Sequence, residues 1–390
     1  MNPGERLVIV GGGPAGLATA RAYRENGGWA RVTILTSEPY APYNRPPLTK
    51  EYLRGEASRD DLSLESEGWY GENDVELRLA TVATRLNRED RTVELDEGGE
   101  LAYDACVLAT GSEPLRLPVS GGEDPEILVM RTVENSRRLQ DRVGQNGKVV
   151  VVGSGFIGCE AAASLALRGG EVTLISLEKR PQQDRLGPEV GERIEGWLRD
   201  YGVDLRLGTS LEGIERSAAG YELSLEGAGT ISASTILFGT GVSPRTVLAA
   251  EAGLEVDGGV ITDSSMRTSA PGIYAVGDLA RAYNESARRH LSVEHWGDAL
   301  EHGRIAGAVI SGGAAAWDMA PGFWSTIGDR TLKYWAWGDG WDEHLFDDRG
   351  EAFAVWYGKE GTLVGVLSHD TDDDYERGRE LIERGELFTG

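Results

Sequence analysis

Cysteine is nearly absent from this 390-residue chain, and its two cysteines, Cys106 and Cys159, form no CxxC pair. That excludes a disulfide framework, a vicinal dithiol and a metal cluster held by four thiolates of this chain alone. Each sits among apolar neighbours, Ala105-Cys106-Val107-Leu108 and Ile157-Gly158-Cys159, which predicts a buried, inert thiol. No metal site is expected.

Positive charge is the second scarcity. Against 64 Asp and Glu the chain sets 39 Lys and Arg, a formal charge of −25. No basic surplus remains to neutralise phosphates, so neither nucleic acid nor an anionic membrane is an expected partner. Solubility is the plain reading of the excess acid, and an acidic protein partner would need a local basic patch. No apolar run approaches the roughly 18–20 residues that span a bilayer. Met1-Asn2-Pro3-Gly4-Glu5-Arg6 lacks a basic-then-apolar leader, so a cytoplasmic protein is expected.

Glycine, by contrast, is abundant at 54 residues, and the length calls for two or three domains. The first 38 residues read strand, glycine turn, helix, strand. An apolar run over residues 6–10 leads into Gly11-Gly12-Gly13-Pro14-Ala15-Gly16, a helix to about Asn26, and the strand Val32–Leu35. The passage recurs as Val149–Val152, Gly153-Ser154-Gly155-Phe156-Ile157-Gly158, an alanine-rich helix and Val172–Ile175. Even the strand ends correspond, with Glu38 and Glu178 at matching places.

A lone GxGxxG is weak, but here each copy follows a strand and opens a helix. The first glycine makes the tight turn, the second lets backbone approach a pyrophosphate, and the third lets helix and strand pack closely. The helix N-terminus adds partial positive charge and free N–H groups. Two such units imply two dinucleotide sites.

Two further apolar strands end in Thr-Gly, Tyr103–Gly111 and Thr235–Gly241, and Thr268–Asp278 reads as turn, strand and strand-end acid. From about residue 317 the tryptophans Trp317, Trp324, Trp335, Trp337, Trp341 and Trp356 fall in alternating segments. These predict a small antiparallel domain closed by a helix near 372–384, with Asp370–Asp374 as its solvated cap.

Together these residues resemble the FAD-dependent ferredoxin and rubredoxin reductases, a group that includes apoptosis-inducing factor. The most specific match is Tyr43-Asn44-Arg45-Pro46-Pro47-Leu48-Thr49-Lys50, close to that family's Y-x-R-P-P-L-S-K; Ala109-Thr110-Gly111, Gly277-Asp278 and Val293-Glu294-His295-Trp296 also match. The resemblance implies an α/β fold of two Rossmann-like, glutathione-reductase-like domains with a small α+β C-terminal domain. FAD would occupy 1–114 and 239–316, NAD(P)H 115–238, and the C-terminal domain 317–390.

It also implies roles. Gly11, Gly13, Pro14, Ala15 and Gly16 would hold the FAD pyrophosphate. Glu38 would take the adenosine ribose, although that family often places the acid where this chain has Ser37, which leaves an ordinary surface acid as the alternative. Val82, read as ending a short strand, would offer backbone to adenine. Asp278 would bind the ribitol, with Arg45, Ala109, Thr110, Gly111, Gly241, Glu294, His295 and Trp296 also at the flavin. Lys50 would pair with Glu160 beside flavin N5, where a cation favours the electron-rich reduced form. His295-Trp296 would open a helix aimed at the flavin pyrimidine.

Gly153, Gly155, Phe156, Ile157 and Gly158 would hold the nicotinamide pyrophosphate. Ser176 stands where NADH-specific relatives carry an acid; Glu178 follows two places on, and Lys179-Arg180 tilt the reading towards NADPH while leaving NADH open. The implied reaction is hydride transfer from NAD(P)H to FAD, then electron transfer to an iron–sulfur protein of ferredoxin or rubredoxin type. No cysteine precedes Cys106, which disfavours disulfide- and peroxide-reducing relatives. The alternative is a redox-controlled binding protein acting through dimerisation or a partner, and homodimerisation is left open. Phe323-Trp324-Ser325-Thr326-Ile327 departs from the family's F-W-S-D-Q. Arg281, Arg288, Arg289 and His290 form the candidate docking patch.

Overall fold

The apolar runs before each glycine turn become central strands of two parallel sheets in the computed structural model, which describes residues 5–144, 147–218 and 220–389. Met1–Gly4, where a leader was sought, lie outside the described residues. In the first sheet Arg6–Val10 lies between Ala105–Leu108 and Arg31–Leu35, with Ile273–Ala275 and Val75–Arg78 on the flanks. The outermost member comes from late in the chain. It returns after a second sheet has been completed, in the order Asp204–Arg206, Glu171–Ile175, Lys148–Val152, Thr235–Phe238, Leu128–Val129. Both sheets are buried on two faces, which explains why their strands read as unbroken Val, Ile and Leu runs.

Each unit carries a three-stranded antiparallel appendage, Ala83–Asn87 with Thr92–Leu95 and Glu100–Ala102 in the first, and Leu211–Ser217 with Gly220–Leu225 and Gly229–Ala233 in the second. The two chain crossings between the units run side by side, Ser112–Pro114 paired antiparallel with Val242–Pro244. The Thr-Gly passages seen in sequence sit at these crossings.

Helix Trp296–Ile310 lies against the first fingerprint helix, Pro14–Glu25. Glycine makes the approach possible: a Cβ on Gly303 would come 2.3 Å from the Ala15 carbonyl oxygen, and one on Gly307 2.4 Å from that of Thr19. The contact aims the helix N-terminus, at His295, towards the fingerprint turn. The C-terminal sheet runs Gly322–Ile327, Arg330–Ala336, Thr362–His369, Ala352–Lys359, Glu343–Arg349, with helix Asp372–Glu383 packed on it. Trp317 does not join it. That side chain is buried in the core of the first unit, edge-on to His302, because the C-terminal strands begin only at Gly322. The acidic run is more than a solvated cap, since Asp372 pairs with Lys333 and Asp374 with Arg349. No helix among the described residues is long and apolar enough to cross a membrane.

Candidate active site

One cavity of about 1290 Å³ runs between the two fingerprint turns and under the C-terminal sheet. It exceeds the roughly 300–1,000 Å³ of a single small-ligand site, which suits two dinucleotides meeting end to end. Its walls begin at the turns. Gly11 has φ +128°, a conformation that side chains avoid, and a Cβ there would strike the Ala109 carbonyl oxygen at 2.1 Å. An added Cβ on Gly13 would meet nothing within 4 Å, so bare backbone amides face open space. Gly155 is as open, its nearest neighbour 3.7 Å away, and Pro14, Ala15, Phe156 and Ile157 line the same walls.

Gly16, Gly153 and Gly158 do not reach the cavity. Gly16 and Gly158 are the packing glycines, their would-be Cβ atoms 2.1 and 2.0 Å from the carbonyl oxygens of Gly11 and Gly153. Gly153 makes the tight turn, at φ +106° against the Gly239 carbonyl. Ser176 is also withdrawn, its hydroxyl 2.6 Å from that of Ser154 in a buried pair.

Lys50 and Glu160, 110 residues apart, meet in the middle of the cavity wall with Nζ–Oε2 2.6 Å, at 6 and 3% exposure. The 3₁₀ turn Pro46–Thr49 delivers Lys50, because two prolines fix the backbone at its start. Glu160 stands in the first turns of the second fingerprint helix, Phe156–Leu167. Its carboxylate is saturated: Thr49 Oγ1 donates to Oε2 at 2.5 Å, while Ser325 Oγ at 2.7 Å and the Thr326 N–H at 3.2 Å donate to Oε1. A carboxylate so occupied is held in one orientation. In the sequence Ser325 and Thr326 appear only within the segment that departs from the family's pattern, with no role assigned to either.

At the first unit, Glu38 lines the cavity and is held by Arg45 Nη2 at 2.9 Å and by the Tyr43 hydroxyl, which donates at 2.6 Å. It is not an ordinary surface acid. Burial pushes the Tyr43 phenol upward; the Arg45 charge opposes the shift and Glu38 adds to it. Asp278 accepts from Ser112 Oγ at 2.7 Å and pairs with Arg131 at 2.8 Å; Arg131 too went unnoticed in sequence. Thr110, Gly111 and Gly241 line the seam between crossings, the last two at positive φ. Val82 lines the cavity but precedes the strand Ala83–Asn87 instead of ending one. Its N–H donates to the Asp96 side chain at 2.9 Å and its carbonyl accepts from the Asp96 backbone N–H at 3.0 Å, so both of its backbone groups are already engaged.

The N-terminus of helix Trp296–Ile310 has no side-chain cap, leaving its amides free to face an anion. His295 instead turns its Nδ1 to Asp298 at 3.2 Å. Burial and then Asp278 raise the Glu294 carboxyl above its usual range. Phe156 meets Phe323 edge-on and His295 lies tilted against Phe323, with centroids 4.6 and 4.7 Å apart, and the three form an apolar floor between the two units.

At the second unit, Glu178 lines the cavity and accepts from Ser154 Oγ at 2.8 Å and from the N–H groups of Gln182 and Asp184 at 3.2 Å each. Neither Lys179 nor Arg180 lines it. Arg180 turns away to Glu192 at 2.8 Å and to the Pro188 carbonyl. The docking patch is likewise partly cancelled: Arg281 pairs with Asp257 and Arg289 with Asp339, leaving Arg288 the exposed cation of the group. Both cysteines are buried and unbridged, and among the described residues no group of three or more His, Cys, Asp or Glu could hold a metal.

Open glycine amides, free helix N-termini and carboxylates at strand ends are a donor set that fits dinucleotides in both halves. A family profile described as pyridine nucleotide-disulphide oxidoreductase matches residues 5–303. The chain is 31% identical to putidaredoxin reductase of Pseudomonas putida, over 98% of this chain and 92% of that protein. It is 32% identical to a rubredoxin-NAD(+) reductase of Pseudomonas putida, over 84 and 85% of the two chains. The fold superposes on the reductase of a covalent putidaredoxin reductase–putidaredoxin complex with a TM-score of 0.93 at 30% identity, covering 98% of this chain and 94% of that one.

Proposed function

This chain belongs to the pyridine nucleotide-disulphide oxidoreductase family, and we propose that within it the protein is an FAD-dependent NADH reductase serving an iron–sulfur electron carrier in the cytoplasm. The observation that carries this reading is the buried Lys50–Glu160 pair, set in one cavity between two nucleotide-binding turns. The chemistry that a bound flavin supplies is acceptance of hydride from reduced nicotinamide and release of single electrons to the carrier.

The protein's own residues bind and orient. Gly13 and Gly155 leave room for the two pyrophosphates against the helix N-termini. Glu38 and Asp278 place carboxylates for ribose and ribitol hydroxyls, and the helix opened by His295 favours negative charge on the ring it faces. Lys50 keeps a cation in the wall, and Phe156 with Phe323 excludes water from the meeting point. Glu178 supports NADH over NADPH, since it brings an acid to a cavity wall that Arg185 lines but neither Lys179 nor Arg180 does. The iron–sulfur partner is supported by the relatives, whose names specify putidaredoxin and rubredoxin.

Anaerobic stopped-flow mixing with NADH and with NADPH tests the reading. Fast bleaching of the flavin band by NADH is expected, with NADPH at least tenfold slower, on the order of one lost hydrogen-bonded contact. A protein that purifies without flavin, or with flavin that neither nucleotide reduces, would remove the enzyme reading in favour of redox-controlled binding.

A further inference from the structure

We propose that Ser325 is a positioning residue through which the C-terminal domain completes the flavin-side pair Lys50–Glu160. The inference rests on the reading of that pair given above and extends it to a residue outside both nucleotide-binding units. Glu160 has two oxygens, and they are served from different parts of the molecule. Oε2 receives Lys50 and Thr49, both from the turn at residues 46–50 of the first unit; among the described residues Oε1 receives only Ser325 Oγ and the Thr326 N–H, both from the C-terminal strand Gly322–Ile327.

That strand is at the edge of its sheet, so N–H groups facing away from its single neighbour are free for other acceptors. The strand period then places Phe323 and Ser325 on one face. Phe323 meets Phe156 and His295 in the cavity floor, and Ser325 meets the carboxylate directly above the same helix. Ser325 is 1% exposed, so water cannot replace its hydroxyl without rearrangement. Without it one oxygen of a buried anion keeps a single, longer donor, and the carboxylate is free to rotate about its chain. Lys50, whose Nζ otherwise donates to the Pro46 carbonyl at 3.1 Å, is then held less firmly, because among the described residues Glu160 is its one ion-pair partner.

The test compares the flavin-loaded protein with Ser325→Ala and Ser325→Thr, using two readouts. The first is the flavin midpoint potential, measured by chemical reduction with dithionite and independent of any nucleotide. The second is the rate of flavin reduction at saturating NADH, set beside the NADH dissociation constant. Ser325→Ala should move the potential to more negative values, since a displaced cation favours reduced flavin less. It should also slow reduction about tenfold, the worth of one charge-assisted hydrogen bond, with the dissociation constant unchanged. Ser325→Thr keeps the hydroxyl and should restore both to within about twofold.

A wild-type potential and rate in Ser325→Ala would overturn the proposal. So would a Ser325→Thr protein as impaired as the alanine variant, because bulk and not the hydroxyl would then be decisive. If the wild type holds flavin that dithionite reduces and NADH does not, the functional reading fails while the potentials still decide this one. A protein with no flavin would end both.

Discussion

The two fingerprint units are near copies, Val32–Glu38 against Val172–Glu178, yet their strand-end carboxylates meet opposite surroundings. Glu38 is neutralised by Arg45, which reaches it across a turn carried by the Arg-Pro-Pro segment. Among the described residues Glu178 has only neutral hydrogen-bond partners, a serine hydroxyl and two backbone N–H groups, and no arginine is paired with it. One repeated geometry has therefore been given two electrostatic settings by changing what lies around it. Under the proposed function the first half would bind with balanced charge, and the second would repel further negative charge.

Breaking the seam between the halves should produce the largest effect. Lys50→Met leaves Glu160 buried without its counter-ion, and loss of one member of such a pair costs about 3 kcal/mol or more in unfolding free energy. Flavin reduction at saturating NADH should fall roughly 100-fold, as for removal of a preorganised electrostatic group. Stopped-flow and denaturant titration on the same preparation measure both. A rate within threefold of wild type would show that the pair is only structural.

The glycine turns separate the halves next. Gly13→Ala adds a methyl where nothing lies within 4 Å, so the fold should persist while flavin content drops sharply. Gly155→Ala should keep its flavin and weaken NADH binding about tenfold by occupying the pyrophosphate approach. Gly16→Ala differs in kind. Its Cβ would strike backbone at 2.1 Å, and overpacking of that sort costs about 3 kcal/mol even before ligand binding is considered. Flavin absorbance per chain and melting temperature sort the three; equal behaviour of Gly13→Ala and Gly16→Ala would contradict the division of labour.

Much of this was legible in the sequence because it is local. Each glycine fingerprint contains its own strand, turn and helix, so its physics is complete within about 30 residues. The Lys50–Glu160 contact, though long-range, was reached through the Arg-Pro-Pro-Leu-Thr-Lys motif. What escaped reading needed the tertiary fold. Ser325, Arg131 and the Arg45–Glu38 pair act on partners that a linear pattern does not bring together. Arg281 and Arg289 looked like free docking charge because Asp257 and Asp339 are distant in sequence. That Arg180 turns away from the cavity was hidden for the same reason, since Glu192 on helix Pro188–Asp200 draws it off.

The acids themselves sharpen the comparison more gently. Glu178→Ala should narrow the NADH-over-NADPH preference about tenfold, measured as a ratio of dissociation constants, by removing one repulsive charge. Glu38→Ala should leave that ratio alone and loosen flavin instead. A ratio that moves equally in both variants would mean that the two carboxylates share one field.

The smallest perturbation uses the two thiols as reporters, one in each half. Cys106 lies in the central strand Ala105–Leu108 of the first sheet, and burial raises its thiol to about 12. At pH 8 roughly one molecule in ten thousand would then be thiolate, so alkylation must await opening of the fold. Cys159 is raised too, by burial first and then by the adjacent carboxylates of Glu160 and Glu178, and its thiol donates to the Ser154 carbonyl at 3.2 Å. Because Ser154 belongs to the second glycine turn, Cys159 reports on that turn, whereas Cys106 reports on the first sheet. NADH at 100 times its dissociation constant should slow Cys159 labelling roughly 100-fold if labelling passes through opening of the second unit. Cys106, followed in the same mass spectrum, should not change. Equal protection of both thiols would mean that the halves open together, and the charge difference between Glu38 and Glu178 would then act within a single cooperative unit.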